Sequence, residues 1–287
     1  LPTFDGRFSM DLPTERMDCR VSLITGGYGE TVVIRLLSNQ AISLELSDLG
    51  IRDTSLKAIE TSVHKTKGIV ITTGPTGSGK TTTLYALLKG LNTPEVKIIT
   101  IEDPIEYHLD GVMQTQIDSA GGYTFAAALR SLMRQNPNII MVGEIRDEET
   151  AKTAVEASLT GHLVLSTIHA NSAAGAIARF AGLGVERAML ASALECSIGQ
   201  RLTRRLCPKC KQPIEPTPED WARIEPYWKL LQSRPELQLP EKPQFYKPVG
   251  CPDCRGIGYK GRVGIYEAII MTPELQKLIQ QPLTTDA

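Results

Sequence analysis

At 287 residues, 41% hydrophobic and 22% charged, the chain has room for about two domains and enough apolar surface to bury a core, which excludes a disordered tail or a disulfide-stapled miniprotein. Thirty-one Lys and Arg against 32 Asp and Glu leave a net charge of −1, without the global basicity of a dedicated nucleic-acid binder. No apolar run approaches the roughly 18 residues of a membrane span and no basic stretch leads into an apolar one at the start, so any membrane contact is expected to be peripheral.

Residues 1–37 read as β structure, the C-terminal part of a small N-terminal domain in a chain that opens on Leu1 like a piece of something longer. Gly6 to Met10, Val21 to Ile24 and Thr31 to Leu37 are strand-like, with a glycine-rich turn at Gly26 to Gly29. Residues 38–66 form a linker and a leading helix from Asp53 to Lys65, with Asp53 as its cap. Over 67–200 short apolar runs at 69–73, 97–101, 138–142 and 162–167 alternate with helical segments near 80–91, 124–135 and 148–159. Such alternation predicts an α/β fold, a mainly parallel sheet with helices on both faces.

Residues 201–258 differ in kind. They hold Cys207, Cys210, Cys251 and Cys254 as two C-x-x-C pairs, separated by a stretch with eight of the 18 prolines and both tryptophans, Trp221 and Trp228, and room for one short helix. Two such knuckles supply the four thiolates of a tetrahedral Zn²⁺ site. Two local disulfides or a redox pair are the competing readings. Residues 259–287 read as a C-terminal hairpin, within 256–271, and a helix from Pro273 to Gln281.

GPTGSGKT at 74–81 is a complete phosphate-binding loop, set between a predicted strand and a predicted helix. Gly74, Pro75, Thr76, Gly77, Ser78 and Gly79 form the nucleotide-binding loop, whose glycines let the backbone N–H groups, which Pro75 lacks, turn toward the phosphates of ATP. Lys80 reaches the terminal phosphates, Thr81 ligates Mg²⁺, and Thr82 is read as a further nucleotide-binding residue at the helix N-terminus. Three polar clusters end the other strands: Glu102-Asp103, Glu144 to Asp147, and Ser166 to His169. Ligands of open α/β sheets bind at the carboxyl ends of the strands, so all of these converge on the loop. A carboxylate at a buried strand end is costly without a partner such as a metal, which favours chemistry for Glu102 and Glu144. Asp147, ahead of Glu148-Glu149, reads as a helix cap. His64 and His108 are given no functional role, and His162 lies on the opposite sheet edge.

Taken together, GPTGSGKTTTLY at 74–85, TIEDPIEY at 100–107, IIMVGEIRDEETA at 139–151, SLTGHLVLSTIHANS at 158–172, QRLTRRLCPKCK at 200–211 and GCPDCRGIGYKGRVGIYE at 250–267 resemble the secretion ATPases of type II secretion and type IV pilus assembly. The resemblance implies a RecA-like ATPase domain in a hexameric ring, using ATP, Mg²⁺ and Zn²⁺, cytoplasmic, held peripherally at the inner membrane by a platform protein. It places Glu144 as the Walker B acid, Glu102 and Asp103 around metal and water, and His162 and His169 in the His box. It also matches Arg20 and Arg35 to arginines that approach nucleotide, expected here to act across a subunit boundary. Thr31 and the segment 178–184 depart from the family pattern. A nucleic-acid motor with a zinc ribbon, carrying Arg201, Arg204, Arg205 and Lys209 as a basic patch, is the competing class, and a retraction-type pilus motor the near alternative. The reading expects no nucleic-acid partner.

Overall fold

The computed structural model describes residues 4–12, 16–37, 44–234, 237 and 239–281. Two units emerge, one running through Arg201 and resuming at Gly264, the other Leu202–Val263. In the first unit β1 (Phe4–Asp11), β2 (Arg16–Gly26) and β3 (Gly29–Leu37) form an antiparallel meander, and Gly29, at φ 124°, takes a backbone conformation that suits glycine where the turn closes. Its register sets Arg7 opposite Arg20 and Arg20 opposite Arg35.

At the start of helix α1 (Asp53–Val63) the N-cap position is held by Arg52, which makes no side-chain capping bond, and Asp53 is instead the first helical residue, where its charge suits the helix dipole. Then follow β4 (Gly68–Thr73), α2 (Lys80–Leu91), β5 (Ile98–Glu102), β6 (Met113–Gln116), α3 (Phe125–Leu132), β7 (Ile139–Ile145), α4 (Glu148–Leu159), β8 (Leu163–Ile168), α5 (Ala173–Gly182), α6 (Arg187–Ala193) and β9 (Leu194–Leu206). The second unit holds β10 (Gln212–Ile214), α7 (Pro218–Gln232) and β11 (Phe245–Lys247), before β12 (Tyr259–Ile270) and α8 (Pro273–Gln280).

The main sheet runs β12-β9-β4-β8-β7-β5-β6, and the pairs β4 with β8 and β9, β7 with β8, and β5 with β6 and β7 are parallel. Every residue of β4, β5 and β8 is buried, which is why these strands read as unbroken apolar runs. Side chains alternate between two cores. Ile69, Ile71, Ile140, Val142 and Val164 pack with α3 to α6 residues such as Leu129, Val155 and Phe180; Val70, Met141, Leu163 and Leu165 pack with Ile59 of α1 and Leu84 and Leu88 of α2. The doubly wound arrangement sets the carboxyl ends of β4, β5, β7 and β8 along one edge.

The C-terminal hairpin expected from the glycines is instead a single strand, β12, whose neighbour in the sheet is β9. Gly261 sits inside it at φ 76°, so the glycine that looks like a turn marks an irregularity within a strand. The short helix expected between the cysteine pairs is α7, which is 15 residues long.

Candidate functional site

β4 ends at Thr73, and the loop 74–79 delivers the chain to α2 through Gly79, at φ 89°. Gly74 is required twice over: its φ is 145°, and a Cβ there would collide with the Gln200 carbonyl oxygen and the Ser78 hydroxyl. Gln200 also donates from Nε2 to the Ser78 carbonyl at 2.8 Å, tying the loop to β9. Lys80 Nζ donates to the carbonyls of Gly74 and Pro75, at 2.9 and 3.1 Å. Burial lowers the Lys80 pKa from its ordinary value, and the negative charge of Glu144 opposes that shift. Ser78 Oγ is buried without a hydrogen-bond partner, a polar atom that a phosphate at the loop would satisfy. Thr81 is exposed on the first turn of α2, where its hydroxyl could ligate Mg²⁺.

Glu144 comes to this edge through a break in the ladder, because the β7 register against β8 shifts between Val142 and Ile145. A bulge of that kind re-aims a side chain. Thr167 Oγ1 donates to the Gly143 carbonyl at 2.9 Å and Ser166 Oγ to the Val142 carbonyl at 2.6 Å, fixing the irregular turn. The Glu144 carboxylate, 14% exposed, pairs with Arg146 and lies 3.5 Å from His169 Nε2. That carboxylate, as hydrogen-bond acceptor and opposite charge, raises the Arg146 pKa, and Asp103 adds to the effect. Lys80, Glu144, His169, Arg146 and Asp103 therefore share one electrostatic neighbourhood. A reciprocal pair of hydrogen bonds between Thr73 Oγ1 and the Ala170 backbone, at 2.9 and 3.0 Å, holds the segment after His169 against the end of β4.

The other expected residues are placed differently. Glu102 is 3% exposed and turned inward, accepting from Tyr85 OH, from Thr100 Oγ1 at 2.6 Å and from Gln114 Nε2 at 3.0 Å. Its oxygens accept from three neutral donors of the same chain. His162 stands before the first residue of β8, where Nδ1 lies 2.9 Å from the Ala157 carbonyl oxygen and its own carbonyl accepts from Gly68 N at 3.2 Å. A strand of six residues, at about 3.3 Å each, separates it from the loop edge, so it closes the turn from α4 to β8 and does not reach the phosphate site. Asp147 caps α4, accepting from Thr150 N at 2.8 Å.

Arg20 and Arg35 lie in a cleft with Asp103 of the same chain, so they need no neighbouring subunit to approach this edge. Tyr85, Gln114 and Gln200, not singled out in the sequence, complete the site from below. The available signal is weak: Tyr85 follows Thr81 by one helical turn, and nothing local marks the two glutamines.

In the second unit the four cysteine sulfurs lie within 4.8 Å of one another, with pairs 207–251, 210–254 and 251–254 at 3.9, 3.8 and 3.7 Å. Disulfides, with S–S near 2.0 Å, do not fit, whereas tetrahedral Zn–S bonds of about 2.3 Å span edges of about 3.8 Å. Backbone N–H groups of Gly250, Cys251 and Gly258 donate to the sulfurs at 3.1–3.3 Å. Burial works against the Cys254 thiolate, but the amide donors of Cys251 and Gly258 together with the neighbouring thiols of Cys251 and Cys210 bring the thiol down to about 6. Among the described residues of this unit only Cys207, Cys254 and Gly258 are buried. A metal in place of a hydrophobic core is what such a segment needs. Elemental analysis of freshly purified, reduced protein is therefore expected to find one zinc per chain. Cys251→Ser should lose it and open residues 202–263 to protease, while metal-free native protein with an intact segment would contradict the assignment.

Comparison with known proteins agrees with this geometry. A family model described as "Type II/IV secretion system protein" matches residues 1–286. The chain is 45% identical over 283 residues to the putative type II secretion system protein E of Escherichia coli K12, covering 99% of this chain and 55% of that one. It is 45% identical over 275 residues to the type II secretion system ATPase E of Vibrio cholerae, covering 96% and 52%. The chain thus spans about half the length of the curated relatives it matches. Among solved structures, the pilus retraction motor PilT with bound ADP is 28% identical, with a TM-score of 0.65 over 97% of this chain and 66% of that one. The Legionella pneumophila ATPase DotB, 23% identical at a TM-score of 0.65 over 96% and 65%, shares the fold.

Proposed function

The chain belongs to the type II/IV secretion system protein family, and from that premise we propose that it is the Mg²⁺-dependent ATPase part of a hexameric motor, driving pseudopilus or pilus assembly through a platform protein at the inner membrane. The observation that carries the reading is the meeting of Lys80, Glu144 and His169 on the edge that bears the phosphate loop. Relatives named for type II secretion favour the pseudopilus.

In this reading the loop N–H groups and Lys80 hold the β- and γ-phosphates, Lys80 exchanging its two carbonyl acceptors for phosphate oxygens. Mg²⁺, held by the Thr81 hydroxyl, would neutralise charge on the same oxygens. Glu144 orients the attacking water and takes its proton as the oxygen joins the γ-phosphorus and the bond to the β-phosphate oxygen breaks, giving ADP and inorganic phosphate. His169 steadies the Glu144 carboxylate and faces the γ-phosphate. Arg146 pairs with Glu144 before substrate arrives, and Asp103 offers that guanidinium a second carboxylate. Glu102 acts as a support, fixing the end of β5 to α2 through Tyr85. We assign Arg20 and Arg35 to their own chain's nucleotide.

A nucleic-acid motor is the competing class. Its basic patch is partly engaged within the protein, since Arg204 stacks on the Tyr259 ring at 4.0 Å and Lys209 pairs with Asp253 at 3.0 Å. Single-stranded DNA is therefore expected to leave the rate of ATP hydrolysis unchanged. A several-fold stimulation, lost at high salt, would favour the nucleic-acid reading.

A further inference from the structure

The cross-strand register of the N-terminal meander places three arginines side by side. Arg7 is paired with Arg20, and Arg20 with Arg35, and residues directly opposite in a sheet share a face. All three line one cleft of about 530 Å³, together with Asp103, Pro104 and Gln116. Like charges directly opposite one another destabilise a sheet, so a row of three requires compensation. Within the protein it is incomplete. Arg20 pairs with Glu106 at 2.9 Å and donates to the Ile105 carbonyl at 3.1 Å, yet its Nε is buried without a partner among the described residues. Among the described residues Arg7 reaches only a neutral acceptor, Gln116 Oε1 at 3.4 Å, and Arg35 forms no ion pair. Asp5 also lines the cleft, but no ion pair joins it to the row among the described residues.

The cleft has the size of a small-ligand site, and its wall at Asp103 acts on Arg146, the partner of Glu144. Guanidinium forks match phosphate oxygens two by two, which a buried Nε and its neighbouring amino groups are shaped to do. We propose that Arg7 is a third phosphate-binding residue, completing with Arg20 and Arg35 a subsite for the terminal phosphate of a nucleoside triphosphate. Glu106 is the carboxylate that this phosphate displaces from Arg20. The proposal rests on the ATPase reading above and adds to it a residue, a phosphate position and a competitor.

Calorimetry with a nonhydrolysable ATP analogue and with ADP, each with Mg²⁺, tests it. Arg7→Gln should bind the analogue about tenfold to a hundredfold more weakly, the worth of a charge-assisted hydrogen bond, and ADP as the native chain does. Arg7→Lys should recover part of the loss, since it restores charge without the fork. Glu106→Gln, which releases Arg20, should tighten the analogue several-fold and leave ADP unchanged. Unaltered analogue binding in Arg7→Gln, or equal loss of analogue and ADP, overturns the subsite, and weaker analogue binding in Glu106→Gln overturns the competition. A melting temperature for each variant separates lost contacts from lost fold, and the conservative Lys variant still decides the matter where Gln fails to fold. Normal nucleotide binding by Lys80→Ala, in contrast, would defeat the ATPase reading itself.

Discussion

Glu144→Gln is expected to hydrolyse ATP about 10²–10⁴ times more slowly than the native chain while still binding it, the range that a positioned general base contributes. The substitution keeps the size of the side chain and removes only its charge and basicity. Because the water is activated in the transition state and not in the bound ground state, the loss should fall on kcat with KM little changed. Two features of the site make Glu144 the residue to change. The register shift in β7 turns its carboxylate toward His169 and into the field of Lys80, and its 14% exposure leaves it reachable by a water. Glu102→Gln should be much milder in kcat, because that carboxylate is enclosed by Tyr85, Thr100 and Gln114. Its effect should appear as lowered thermal stability. Steady-state phosphate release by the two variants, with nucleotide affinity measured in parallel, checks both statements, and equal kcat losses would show that the inward placement of Glu102 is not the catalytic one.

Lys80→Ala is expected to remove hydrolysis by at least about 10²–10³, the loss for one preorganised donor, and to weaken ATP binding about tenfold to a hundredfold. The ammonium is half-buried and burial already lowers its pKa, so it gains by exchanging the Gly74 and Pro75 carbonyls for charged phosphate oxygens. Folding should survive, since Lys80 fills no core position and its removal frees only two loop carbonyls, that of the buried Gly74 and that of the exposed Pro75. Binding is read by equilibrium dialysis with labelled ATP and folding by the melting temperature. Full turnover in a folded Lys80→Ala protein would remove the loop from the mechanism.

The parts of this site that were legible in the sequence are those set by local chemistry. The strands at 68–73, 98–102 and 163–168 and residues 139–142 are buried and so appear as apolar runs, the loop at 74–81 has fixed spacing, and Asp147 sits where a cap belongs. The two strand-end glutamates show the limit. In sequence Glu102 and Glu144 look equivalent, each closing an apolar run. They diverge because Gln114, twelve residues on, and Tyr85, on another element, close over Glu102, while a bulge redirects Glu144. The same holds for β12: Gly256, Gly258 and Gly261 suggest a local turn, but the neighbouring strand, β9, lies far back in the chain. Arg7 was unremarkable until the register put it beside Arg20.

The most direct test of the central claim, that this edge cleaves ATP, is a single-turnover experiment with native protein in excess over Mg-ATP labelled at the γ-phosphate. The account predicts that native protein converts the bound nucleotide to ADP and labelled phosphate, whereas Glu144→Gln retains it uncleaved over the same interval. Recovery of intact ATP from native protein that has bound it, or equal cleavage by Glu144→Gln, would contradict the account.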